Sequence, residues 1–96
     1  MPVTVTIHAE VKSDIYQDLQ IFLEENLPNV RGFKGALNVS VFFNSETNNF
    51  LIHEEWLSKA DHQEYLKFIT ENGVMAQLAS FFIDTPAINY YSKAAL

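Results

Sequence analysis

The chain has no cysteine among its 96 residues. Disulfides, thiolate metal centres and a cysteine nucleophile are therefore excluded. Positive charge is also scarce: six Lys and Arg stand against twelve Asp and Glu, a net charge of −6. The six basic residues form no cluster, which argues against nucleic acid as a partner. No apolar run approaches the roughly 20 residues of a membrane span, so no membrane partner is expected. The opening MPVTVTIHAEV alternates instead of forming a charged start and an apolar block, so it is not read as a signal peptide. Internal repeats, linkers and low-complexity tracts are missing too. The expectation is a soluble, cytoplasmic, acidic protein with one domain spanning residues 1–96. Hydrophobic residues make up 48% of it. That is enough for one core, with little margin for a large cavity.

Hydrophobic periodicity gives the order of elements. Val3, Val5, Ile7, Ala9 and Val11 alternate with Thr4, Thr6, His8 and Glu10, the period of a half-buried strand. Ser13 or Asp14 is placed to cap a helix carrying Ile15, Leu19, Phe22 and Leu23 on one face. Pro28 is expected to stop that helix, because its ring breaks the hydrogen-bond ladder. Leu37, Val39, Val41 and Phe43 share one face of a second strand. After the polar run from Ser45 to Asn48, Phe50 to Leu57 return as a third. Ser58 opens a helix with a weak capping-box signal at Asp61, ending near Gly73. A short helical stretch groups Val74, Leu78, Phe81 and Phe82, and Pro86 precedes a last strand, Ala87 to Ser92.

The order is βαββαβ with one extra short helix, a ferredoxin-like α+β pattern with a four-stranded antiparallel sheet. Helices cover one sheet face only. The other would carry Thr4, Thr6, His8, Glu10, Asn38, Ser40, Phe42, Leu51, His53 and Glu55. Such a mixed surface suits a homodimer in which two sheets pack into one barrel.

Functional residues gather at one junction. The third strand ends on the chain's single tryptophan, Trp56, and His62, Tyr65 and Phe68 follow on the next helix. An indole, an imidazole and a phenol together suit a flat aromatic ligand. Proton abstraction from a phenol or hydroquinone gives an anion able to reduce O₂ directly. The protein then supplies a base, a wall that excludes water, and donors for the aromatic oxygens. His62 is the candidate base, since its unperturbed pKa is about 6.5. Each residue also has a plainer role. Trp56 can be a core anchor, His62 a solvent-facing helix residue, and His8 and His53 interface hydrogen-bonders. The three histidines are not spaced as a metal triad. Glu54 and Glu55 point to opposite strand faces and so form no carboxylate pair.

From Val3 to Tyr91 the chain resembles the antibiotic biosynthesis monooxygenase superfamily of dimeric α+β barrels. Glu55-Trp56-Leu57-Ser58 leading into Tyr65-Leu66 carries the resemblance, with Gly73, Leu78–Phe82 and Pro86. The resemblance implies a pocket between sheet and helices in each monomer. Trp56 and His62 would be its catalytic residues, and Tyr65, Phe68, Phe22 and Phe82 would bind substrate. It implies a monooxygenase that needs no cofactor or metal, acting with O₂ on a small aromatic, quinol-like substrate. The alternatives are a cofactor-free isomerase of a small carbonyl compound, or a non-catalytic ligand-binding dimer. The haem-degrading branch uses an Asn on the first strand and a His on the helix after the Trp. Ile7 and Leu66 stand there in this chain, so haem degradation is not expected. Ile52 replaces an Asn found before the Trp in some cofactor-free relatives.

Overall fold

The computed structural model describes residues 2–96. Its elements are β1 (Val3–Glu10), α1 (Tyr16–Arg31), β2 (Ala36–Asn44), β3 (Asn49–Trp56), α2 (Lys59–Glu71), α3 (Val74–Ala79) and β4 (Ala87–Tyr91). The strands lie in the order β2-β3-β1-β4, and every neighbouring pair is antiparallel. This is the ferredoxin-like α+β architecture that the alternation and helical periods predict.

The strand period of two decides what is buried. Successive cross-strand rows face the helices: Ala36, Trp56 and Val3; then Val39, Glu54, Val5 and Tyr90; then Val41, Ile52, Ile7 and Ile88. Helix α1 sets Leu19, Phe22, Leu23 and Val30 onto these rows, and α2 adds His62 and Ile69. A glutamate and a histidine therefore sit within an otherwise apolar layer. The other face of the sheet carries the mixed set expected of it, and Phe42 there is exposed.

Three local expectations are corrected. Helix α1 does not stop at Pro28 but runs one turn further to Arg31. The proline lies close enough to the end to cost one backbone donor, while the turn beyond it is anchored: Val30 is buried and Arg31 donates to the Val39 carbonyl at 3.1 Å. Neither Ser13 nor Asp14 caps α1. Ile15 holds the N-cap position without a side-chain bond, and Asp14 adopts a left-handed φ of 64°. Leu37 does not join the core face of β2. The register shifts between Ala36 and Asn38, and this irregularity leaves Leu37 exposed.

Gly35 links this irregular strand start to α2. Its φ is 90°, and a Cβ built on it would lie 2.6 Å from the Cβ and Cγ of Asp61. Its carbonyl accepts from Leu57 N at 2.8 Å. Gly35→Ala combines a left-handed penalty of about 1–2 kcal/mol with overpacking of about 1–3 kcal/mol. It is expected to destabilise the fold by roughly 2–5 kcal/mol, read as a lower urea midpoint. Gly73 has a similar φ of 86° but nothing within 4 Å of its Cβ. Gly73→Ala is the control that isolates the backbone penalty.

Candidate functional site

The junction of β3 and α2 is short because Ser58 caps the helix at once. Ser58 is extended, with φ −153° and ψ 159°, and its Oγ accepts from Asp61 N at 3.1 Å. His62 then falls in the first turn, above the inward face of β3. Its ring lies edge-on to Trp56 with centroids 5.2 Å apart, and Tyr65 follows one turn on, 5.4 Å from the indole. Phe33, before β2, closes an aromatic cluster by packing on both Trp56 and Tyr65.

Polar atoms run through this cluster as a chain. Trp56 Nε1 donates to Glu54 Oε1 at 2.8 Å. The same oxygen lies 3.4 Å from His62 Nε2. On the other side of the imidazole, Nδ1 lies 2.8 Å from the Tyr90 hydroxyl. Trp56 and His62 are 0% exposed and Glu54 is 3% exposed. The Nε2 to Oε1 separation is within Coulombic reach, but Nε2 makes no hydrogen bond among the described residues. The pair is a close contact and not a hydrogen bond, because a charge-assisted one would close to about 2.7–2.9 Å.

Burying a carboxylate costs several kcal/mol unless partners offset the loss of water. The indole N–H supplies one such partner. The two phenols register the negative charge: burial, reinforced by Glu54, pushes Tyr65 up to about 12. Tyr90 is raised by the same two causes, burial first. Both hydroxyls therefore stay protonated through the neutral range. Lys59 Nζ lies 4.8 Å above the Tyr90 ring, a cation–π contact at the outer end of the chain.

A cavity of about 40 Å³ lies between the helices and the sheet. Phe22, Leu66 and Met75 contribute to its apolar wall, Asn26 and Tyr65 add polar groups, and Glu54 is its one charged residue among those lining it. A wider surface concavity, about 550 Å³, lies around Phe42, Leu51 and His8. It holds no buried titratable group, so the smaller cavity is the chemically equipped one.

The structure brings together Trp56, His62 and Tyr65, but of these only Tyr65 lines the cavity, where Phe22 joins it; Trp56 packs beside Tyr65 without lining the cavity. The structure does not bring in Phe68 or Phe82. Phe68 is 51% exposed and packs on the outer side of Phe33. Phe82 is buried against Phe50, six residues along β3 from Trp56, and forms a bridge with Val11. His62 is an interior residue, not a solvent-facing one, but it stands behind Glu54 and outside the cavity lining. Sequence reasoning did not single out Glu54 or Tyr90. The signal was present, since Glu54 shares a strand face with Phe50, Ile52 and Trp56, and a charge in that row is a charge in the core. No group of three or more potential metal ligands occurs among the described residues, and no described helix is long and apolar enough to cross a membrane.

No family profile matches the chain, and no curated protein matches it. Solved structures do. A conserved protein from Methanosarcina mazei Go1 is 16% identical, with 98% of this chain and 94% of that one covered at a TM-score of 0.86. A structure described as an antibiotic biosynthesis monooxygenase is 12% identical, with 96% and 98% covered and a TM-score of 0.83. A Streptomyces coelicolor monooxygenase, solved in complex with nanaomycin D, is 11% identical, with 98% and 88% covered and a TM-score of 0.78. At these identities the likeness is one of architecture, and over nearly its whole length the chain has the α+β fold of the antibiotic biosynthesis monooxygenases.

Proposed function

We propose that the chain belongs to the antibiotic biosynthesis monooxygenase family and oxidises a small phenol- or quinol-like substrate with O₂, without a cofactor. The observation that carries this reading is the buried Glu54 carboxylate, which faces an apolar cavity and is backed by His62. Glu54 takes the hydroxyl proton of the substrate, and the resulting anion supplies the electrons. A C–O bond forms between a ring carbon and O₂, and the proton returns to the peroxide. The ring C–H proton at that carbon is then removed as the O–O bond breaks, so that water leaves and a carbonyl remains. Dry surroundings strengthen every electrostatic contact in this sequence. The acid–base pair works as a unit in which Glu54 meets substrate and His62 lies behind it. Trp56 holds the carboxylate in place. Phe22 and Tyr65 form the wall against the ring.

Cavity size limits the substrate. A cavity of about 150 Å³ holds one benzene ring, whereas this one is about 40 Å³. Binding therefore requires Leu66 and the adaptable Met75 to withdraw, and it favours a single ring over a fused system. The same observation favours one second reading. A carboxylate in a small pocket also suits an isomerase that moves a proton beside the carbonyl of a compact substrate. In either case a homodimer would cover the open face of the sheet.

Oxygen consumption separates these readings. Purified, metal-free protein is assayed against monocyclic hydroquinones, dihydroxynaphthalenes and anthrones. Uptake above autoxidation is expected with the monocyclic compounds, and it should disappear in His62→Gln while the far-UV circular dichroism is retained. Absence of uptake across the panel would overturn the oxygenase reading and leave the isomerase.

A further inference from the structure

Tyr90 stands outside the cavity, on the fourth strand, yet it makes the one hydrogen-bond contact to the His62 ring among the described residues. Its partner atom is Nδ1, at 2.8 Å. The opposite nitrogen, Nε2, is fully buried and makes no hydrogen bond among the described residues, although Glu54 Oε1 lies only 3.4 Å away. A neutral imidazole carries its single proton on one nitrogen or the other. A proton on Nε2 would point at a carboxylate and draw it to a shorter distance. The gap stays open although Oε1, which also accepts the Trp56 N–H at 2.8 Å, has a second lone pair to offer, and this is the separation expected where Nε2 carries no proton.

We propose that Tyr90 is a positioning residue that holds His62 in the Nδ1–H tautomer, so that a free Nε2 lone pair is kept beside Glu54. In this arrangement Nδ1–H donates to the Tyr90 oxygen. The phenol is half-buried and lines a surface cleft of about 290 Å³ with Ser58 and Lys59, so its own proton can be donated to water there. The groups facing this imidazole are Glu54 from β3, Tyr65 from its own helix and Tyr90 from β4. Lys59 lies beyond the Tyr90 ring.

The consequence for chemistry rests on the oxygenase or isomerase reading above. A proton taken from substrate by Glu54 can be shared with Nε2: the Glu54 O–H bond weakens as an N–H bond forms, and the imidazole becomes cationic. Nothing is oxidised or reduced in that step. When the proton is returned, the N–H bond breaks and neutral His62 is restored in the same tautomer. Tyr90 thus acts through His62, and His62 acts through Glu54.

Nitrogen-15 NMR of histidine-labelled protein tests the tautomer without any turnover assay. The signals of His8 and His53 are removed by His8→Gln and His53→Gln, which lie on the open sheet face. Above the histidine titration range, His62 is expected to be protonated on Nδ1. In Tyr90→Phe the acceptor is lost, and the proton is expected to move to Nε2 and bond to Glu54. An Nε2–H signal in the wild-type protein overturns the proposal by itself, even if Tyr90→Phe does not fold. An unchanged tautomer in a folded Tyr90→Phe also overturns it. With turnover measurable, Tyr90→Phe should lower kcat more than it raises KM and shift the acidic limb of the pH profile. A confirmed tautomer with no oxygen uptake would count against the proposed activity and leave the positioning role intact.

Discussion

Glu54→Gln is expected to abolish most turnover while leaving the fold as stable as before, or more so. Glutamine has the same shape and keeps an oxygen for the Trp56 N–H, now 2.8 Å away from a carboxylate. It cannot accept a substrate proton. General-base groups contribute about 10²–10⁴-fold to rate, and a loss of that size in kcat is predicted. Stability should move the other way, because a buried charge with incomplete pairing is a weak source of stability and its neutral replacement is often neutral or favourable. The two readouts together are diagnostic. A purely structural glutamate would lose stability with the substitution, and near-wild-type turnover would remove Glu54 from the mechanism. The Tyr65 phenol offers an internal check: part of its shift to about 12 comes from Glu54, so Glu54→Gln should lower its pKa toward the ordinary value.

The architecture was legible because period-two and period-3.6 patterns are set by burial, and burial dominates this small domain. β1 alternates over its whole length, and the Phe50–Trp56 row announces β3. What escaped was decided by contacts distant in sequence. Pro28 reads as a helix stop until Val30 is seen buried and Arg31 tied to Val39 of the next strand. Leu37 reads as a core residue until the register shift beside it exposes it. These are tertiary effects that override a local rule.

The site divides in the same way. Trp56, His62 and Tyr65 were legible because a strand end and a helix start bring them together over ten residues. Glu54 stands beside Glu55, and that adjacency hides its place in the buried row with Phe50, Ile52 and Trp56. Tyr90 had no local signal, since it reaches His62 across 28 positions of sequence. Phe68 illustrates the reverse case. Helical spacing from Tyr65 places it near the cluster, but one step around the helix turns it to the outer side of Phe33. Aromatic residues near a site are thus sorted by the angle about the helix axis, which composition alone does not give.

Trp56→Ala is expected to cost about 3–5 kcal/mol, the range for truncating a large aromatic side chain in a core. A domain of this length has roughly 5–14 kcal/mol in total, at about 0.05–0.15 kcal/mol per residue. The substitution would therefore remove a large share of the stability, seen as a marked fall in the urea midpoint. Two contributions are combined in that number: the indole is fully buried among His62, Tyr65 and Phe33, and its N–H is a partner of Glu54 Oε1. Trp56→Phe separates them, because phenylalanine keeps most of the packing and removes the donor. An unpaired buried acceptor costs about 1–3 kcal/mol, and Trp56→Phe should show a loss in that range above the small cavity it leaves. The double variant Trp56→Phe with Glu54→Gln should recover part of it, since the amide oxygen demands less of its surroundings than a carboxylate. If the effects of the two substitutions were simply additive, the indole would act on this site through packing alone, and Glu54 would have to draw its stabilisation from elsewhere.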